Sequence, residues 1–84
     1  MPHVIIKLYA GRSEQQKTKL AELVTQAVME ATGNGEASVS VAIEDIDPSQ
    51  WTSAVYEPDI EGRRECLYQM PGYGPLAGTP LPRR

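Results

Sequence analysis

Two alternating stretches, His3-Val4-Ile5-Ile6-Lys7-Leu8-Tyr9 and Ser38-Val39-Ser40-Val41-Ala42-Ile43-Glu44, flank a single helical pattern, and that order of periods decides the fold. In the first, Val4, Ile6 and Leu8 face one way and His3, Ile5, Lys7 and Tyr9 the other, which is the period of a strand. In the second, Val39, Val41 and Ile43 oppose Ser38, Ser40, Ala42 and Glu44. Between them, Gly11 and Arg12 make a turn, and Ser13-Glu14-Gln15-Gln16 has the spacing of a capping box, in which hydroxyl and amide reciprocally satisfy backbone donors at a helix start. A helix is predicted over residues 14–32. Leu20, Leu23, Val24, Ala27, Val28 and Ala31 form its apolar stripe, and Lys17, Glu22, Gln26 and Glu30 lie on the other face. Gly33-Asn34-Gly35 supplies left-handed chemistry for its end.

The unit is therefore β-α-β. A connection that carries a whole helix favours parallel pairing and a right-handed crossover, with the helix over the face shared by both apolar strand sets. The fold class is α/β (or α+β), and two strands under one helix leave open edges that pairing with a second copy would close. Further along, Asp47-Pro48-Ser49-Gln50 reads as the cap and first turn of a short helix carrying Trp51. Pro58 opens a second, with Ile60, Arg64 and Leu67 on one side. Cys66 falls in that helix as a small buried hydrophobe. From Pro71 onward there are four prolines and three glycines in fourteen residues. Residues 1–70 are thus expected to form the domain, and residues 71–84 an extended tail without packed structure of its own, available to lie over a neighbouring subunit.

At 84 residues this is one small domain, and a chain of that size leaves much apolar surface open unless something covers it. The single cysteine and single histidine exclude a disulfide framework or a Cys/His zinc site within one chain, so oligomerisation is the remaining staple. A formal charge of −3 argues against nucleic acid as a partner, and the pairs Arg63-Arg64 and Arg83-Arg84 read as solvated surface. No apolar run reaches the roughly 18 residues of a membrane span, and the start lacks a secretory leader, so a cytoplasmic protein without a membrane partner is expected.

The chemistry lies at the beginning of the chain. A compact second residue permits removal of Met1, which would leave Pro2 as a secondary amine. An ordinary α-amino group titrates at about 7.7 to 8.0; burial and a nearby cation lower that value and leave a base suited to abstracting a proton beside a carbonyl. No Ser/His/Asp set, phosphate loop or metal spacing competes with it. His3 alternates to the opposite side of the strand and is assigned a surface or interface role. Tyr9 and Tyr73 either reach a pocket or pack.

Pro2, Gly11-Arg12-Ser13 with Glu14-Gln15-Gln16-Lys17, residues 38–43, Pro48-Ser49-Gln50-Trp51 and Pro71-Gly72-Tyr73, in that order and spacing, resemble the 4-oxalocrotonate tautomerases. The resemblance implies a β-α-β protomer with oligomer-dependent sites, no cofactor and no metal. It assigns Pro2 to proton transfer between the carbon and oxygen of a keto-enol pair and Arg12 to the substrate carboxylate. Ser40 stands where family members place a second arginine, which disfavours a dicarboxylate and favours a phenylpyruvate-like monocarboxylate. Trp51 stands at a pocket aromatic, with plain core packing as the other reading. Hydration or dehalogenation of an unsaturated acid by the same proline, and a non-catalytic dimeric binding module, are the alternatives. If residues 2–12 are extended, Arg12 lies roughly 30 Å from its own Pro2, so the two can share a pocket only across an interface. A homodimer is favoured over a hexamer.

Overall fold

A computed structural model describes residues 1–82; Arg83 and Arg84, read above as solvated surface, lie outside the described residues. The chain divides into two compact units, Met1–Pro48 and Ser49–Arg84, so the compositional boundary at residue 70 does not coincide with the division by packing.

In the first unit, β1 (His3–Tyr9) is followed by α1 (Glu14–Thr32), a single 3-10 turn (Glu36–Ser38) and β2 (Ser40–Ile46). Both predicted caps of α1 form. The Gln16 amide N–H donates to the Ser13 hydroxyl at 3.1 Å, and the Gln16 side-chain oxygen accepts from the Ser13 N–H at 3.0 Å. Gly33 ends the helix with φ 76°, and its N–H donates to the Met29 carbonyl; a Cβ is disfavoured in that left-handed conformation.

The strands pair in parallel, with His3 opposite Ser40, Ile6 opposite Ile43 and Tyr9 opposite Ile46. The second strand lies two residues later than its alternation suggested, because residues 36–38 are taken up by the 3-10 turn. Residues 40–44 keep the alternation expected of them, while Ser38 and Val39 fall outside the strand.

The inward stripe of α1 is a correction. Lys17, Leu20, Ala21, Val24, Thr25, Val28 and Met29 are half-buried, whereas Leu23 is 55% exposed and Ala27 and Ala31 are also outward. Lys17, assigned by pattern to the solvent face, turns inward because its ammonium bridges Glu14 at 2.7 Å and Asp45 of β2 at 2.9 Å. Its aliphatic stem is covered while the charged head stays paired. Those hydrogen bonds, to Glu14 first and then Asp45, hold the ammonium above the ordinary lysine range.

The second unit is less regular. A 3-10 turn (Pro48–Gln50) leads through Trp51 into a helix wound with wide i→i+5 turns (Thr52–Glu61), closed by the Gly62 N–H donating to Glu57 at 2.8 Å. Pro58, expected to open a separate helix, lies inside this one. Proline crowds the carbonyl one α-turn back, and the wider turn relieves that crowding, while the missing N–H leaves one carbonyl of the preceding turn without a backbone donor. The later segment is only one 3-10 turn, Arg64–Cys66. Leu67 returns to extended backbone, so Cys66 is exposed rather than buried.

The expectation that the chain after Pro71 has no packed structure is also corrected. Leu76 is 9% exposed, and the Ala77 and Thr79 N–H groups donate to Gly74 and Leu76 carbonyls in consecutive turns. The anchor is Tyr56, whose hydroxyl donates to the Tyr73 carbonyl at 2.8 Å and accepts from the Leu76 N–H at 3.0 Å.

Candidate active site

Pro2 immediately precedes β1 and is half-buried, while Met1 is 96% exposed. The Pro2 carbonyl accepts the Ser40 N–H at 3.2 Å, which extends the parallel ladder to the residue before the strand and fixes the chain at the end where the amine would be. Ser40 is thus brought beside Pro2 through backbone. Its side chain points to the other face, where the Ser40 hydroxyl oxygen lies 2.6 Å from His3 Nδ1. That pair forms because His3 and Ser40 are register partners, and partners in a parallel ladder present side chains on one face. His3, expected at a surface or interface, is exposed and bonded there.

Arg12 lies beyond the other end of β1, past a turn in which Gly11 adopts φ 122°. It is exposed and directly precedes the Ser13 cap, so the helix start fixes its backbone while leaving the guanidinium in solvent. Pro2 and Arg12 are therefore separated by the whole of a seven-residue strand, about 23 Å at the rise of an extended chain. One chain does not bring them together. Two surface grooves in this unit run along α1: one of about 430 Å³ lined by Thr18, Ala21, Glu22, Thr25, Glu36 and Val39 among others, the other of about 250 Å³ with Lys17, Val41 and Ile43 in its lining. Neither includes Pro2, Arg12, Ser40 or Trp51. Among the described residues no group of three or more His, Cys, Asp or Glu side chains is arranged to hold a metal ion, and no helix is long and apolar enough to cross a membrane.

Trp51 belongs to the second unit and is half-buried at the start of the wide-turn helix. Its indole N–H donates to the Tyr73 hydroxyl at 2.8 Å, and the Tyr73 ring stands edge-on to Tyr56, with centroids 5.1 Å apart and planes at 67°. Of the two readings open to Tyr73, a pocket or packing, the packing contact with Tyr56 is formed. No local signal links them, because the partners are 17 to 22 residues apart in irregular chain.

The model of the family described as Tautomerase enzyme matches residues 2–55, well over half the chain. The chain belongs to the tautomerase family. It is accordingly an isomerase. This tautomerase is 44% identical over 80 residues to the protein named Probable tautomerase of Xylella fastidiosa, a match covering 95% of this chain and 98% of that one. It is 35% identical over 74 residues to Tautomerase PptA of Cronobacter sakazakii, covering 87% and 97%. Among solved structures it resembles a 4-oxalocrotonate tautomerase isozyme from Methylibium petroleiphilum, with a TM-score of 0.58 and 44% identity over 60% of this chain and 81% of that one. TomN, a 4-oxalocrotonate tautomerase homologue of the tomaymycin biosynthetic pathway, matches with a TM-score of 0.58 and 34% identity over 60% and 77%. The β-α-β fold with a parallel strand pair is thus that of the 4-oxalocrotonate tautomerase homologues.

Proposed function

We propose that this tautomerase interconverts the keto and enol forms of a 2-oxo monocarboxylic acid, with an aryl group favoured as in phenylpyruvate, and that Pro2 is its general base. With Met1 removed, the neutral proline nitrogen takes the enol hydroxyl proton, and the resulting ammonium returns a proton to the adjacent carbon; no net proton is consumed and no cofactor is called for. Arg12 holds the carboxylate bidentately and draws charge from the enolate. Ser40 offers no cation for a second carboxylate, which favours the monocarboxylate. Trp51 receives the aryl group.

The observation that carries this reading is the placement of Pro2 and Arg12 at opposite ends of β1. When two copies set their first strands antiparallel, the head of one lies near the tail of the other, and each site draws Pro2 from one copy and Arg12 from its partner. The half-exposed Ile5 and Tyr9 on the open sheet face, 53% and 51% exposed, supply apolar surface that association would cover. A homodimer working in the cytoplasm is the assembly proposed; sedimentation at six copies per particle would replace the dimer by a hexamer.

The test is the rate of phenylenolpyruvate ketonisation by protein beginning at Pro2, set against Pro2→Ala and Arg12→Ala. Loss of about 10²- to 10⁴-fold is expected for the first. For the second, kcat/KM should fall by about tenfold or more, as for a lost charged hydrogen bond. Equal, near-background rates in all three proteins would overturn the reading.

A further inference from the structure

The geometry points to Tyr73 as a positioning residue that sets the orientation of the Trp51 indole, and so makes the segment after Pro71 a determinant of aryl specificity. This rests on the reading that Trp51 receives the aryl group of the substrate.

Three observations within the second unit carry it. The Tyr73 hydroxyl accepts the indole N–H of Trp51 at 2.8 Å, an orientation-fixing bond at the edge of a flat side chain. The Tyr73 backbone is in turn held by Tyr56, which is 3% exposed, donates to the Tyr73 carbonyl and accepts from the Leu76 N–H. Gly74 lets the segment lie directly on that ring: its φ is +71°, and a Cβ there would come within 2.6 Å of Tyr56. Tyr56 thus locks Tyr73, and Tyr73 holds Trp51. The family match ends at residue 55, so Tyr73 belongs to sequence that the family model does not describe.

A rotatable indole can present either its face or its edge to an aryl group, and aromatic pairs discriminate strongly between these arrangements. Fixing the N–H selects one of them before substrate arrives, which lowers the ordering cost of binding. An aliphatic 2-oxo acid gains little from this, so the effect of Tyr73 is selective for aryl substrates and falls on KM.

The experiment uses Tyr73→Phe in the full chain, which retains the ring against Tyr56 and removes only the acceptor. Trp51 is the single tryptophan, so its emission reports the bond directly. The expected result is a shifted emission spectrum, a roughly two- to tenfold rise in KM for an aryl enol acid, the range set by one net hydrogen bond, little change in kcat, and no change in KM for an aliphatic one. In a Trp51→Phe background the Tyr73→Phe effect on KM should vanish. Unchanged emission overturns the proposal. So does an equal KM rise on both acids, or an effect that persists without Trp51, since either outcome marks a merely structural role. If cooperative melting is lost in Tyr73→Phe, Tyr56→Phe, which frees the Tyr73 carbonyl, is judged by the same criteria. A wild-type protein that ketonises neither acid removes the functional reading and with it the specificity claim; an emission shift in Tyr73→Phe would still show that the Trp51 bond exists.

Discussion

The two units hold themselves together by different means. Met1–Pro48 consists of regular elements joined by short connections, yet the three most deeply buried hydrophobic residues, Val55, Tyr56 and Leu76, all lie beyond it. Its stability draws on the backbone ladder, the caps of α1, the Lys17 bridge and half-buried apolar side chains. Among its described residues the second unit has no strand and little periodicity, but it encloses a small core around a tyrosine whose hydroxyl both donates and accepts. Regularity and closure are separate properties: a unit can be regular because its interactions are local and still leave its apolar side chains only half-buried.

The widest effect should come from exploiting that incompleteness. Pro2→Ala chains, nearly inactive alone, and Arg12→Ala chains, weakened about tenfold or more, are expected to reach about a quarter of wild-type activity when mixed and reassociated, because half the random dimers are mixed and each carries one intact site. Titrating one variant into the other and following ketonisation measures this; no recovery despite demonstrated subunit exchange would place both residues in a site made by one chain, and the contrast between the units would lose its functional meaning.

The second unit is probed by Tyr56→Phe. Removing the hydroxyl leaves the buried Leu76 N–H and the Tyr73 carbonyl without that partner, a cost of about 1–3 kcal/mol. Thermal melting should fall by roughly 4–8 °C for each kcal/mol in a domain of this size. A midpoint equal to wild type would show that the tail is not held by this tyrosine.

The smallest effect belongs to the Lys17 bridge. Because the folded-state pKa is raised, its stabilisation is complete below the ordinary lysine range and is lost as pH rises through the folded value. Lys17→Met should therefore melt slightly below wild type near neutrality, and the gap should close in strong alkali. A gap that widens with rising pH would contradict the assignment; the solvent exposure of the Glu14 and Asp45 carboxylates keeps the effect small in either case.

The fold of the first unit was legible because its signals are local. Ser13 with Gln16 and Gly33 set the ends of α1 within a few residues of themselves, and alternation set both strand faces even though β2 began later than its pattern. The rotation of α1 was less legible: Leu23 fits an apolar stripe as well as Ala21 does, and only the Lys17 bridge to Asp45 shows which way the helix turns. Pro2 and Arg12 stood out by position and chemistry, whereas the bonding of the Ser40 hydroxyl to His3 followed from register.

By itself the sequence determined the β-α-β order, the helix limits and the candidate base, since each depends on residues near one another in the chain and on the periods of strand and helix. Tertiary structure alone decided the wide-turn winding around Pro58, the exposure of Cys66 and the chain of bonds from Leu76 through Tyr56 and Tyr73 to Trp51. The bonds in that chain join residues 17 to 22 positions apart in irregular sequence, where no period announces which side chains will meet, and the Tyr56 hydroxyl and the Leu76 N–H pair because buried polar groups must find partners.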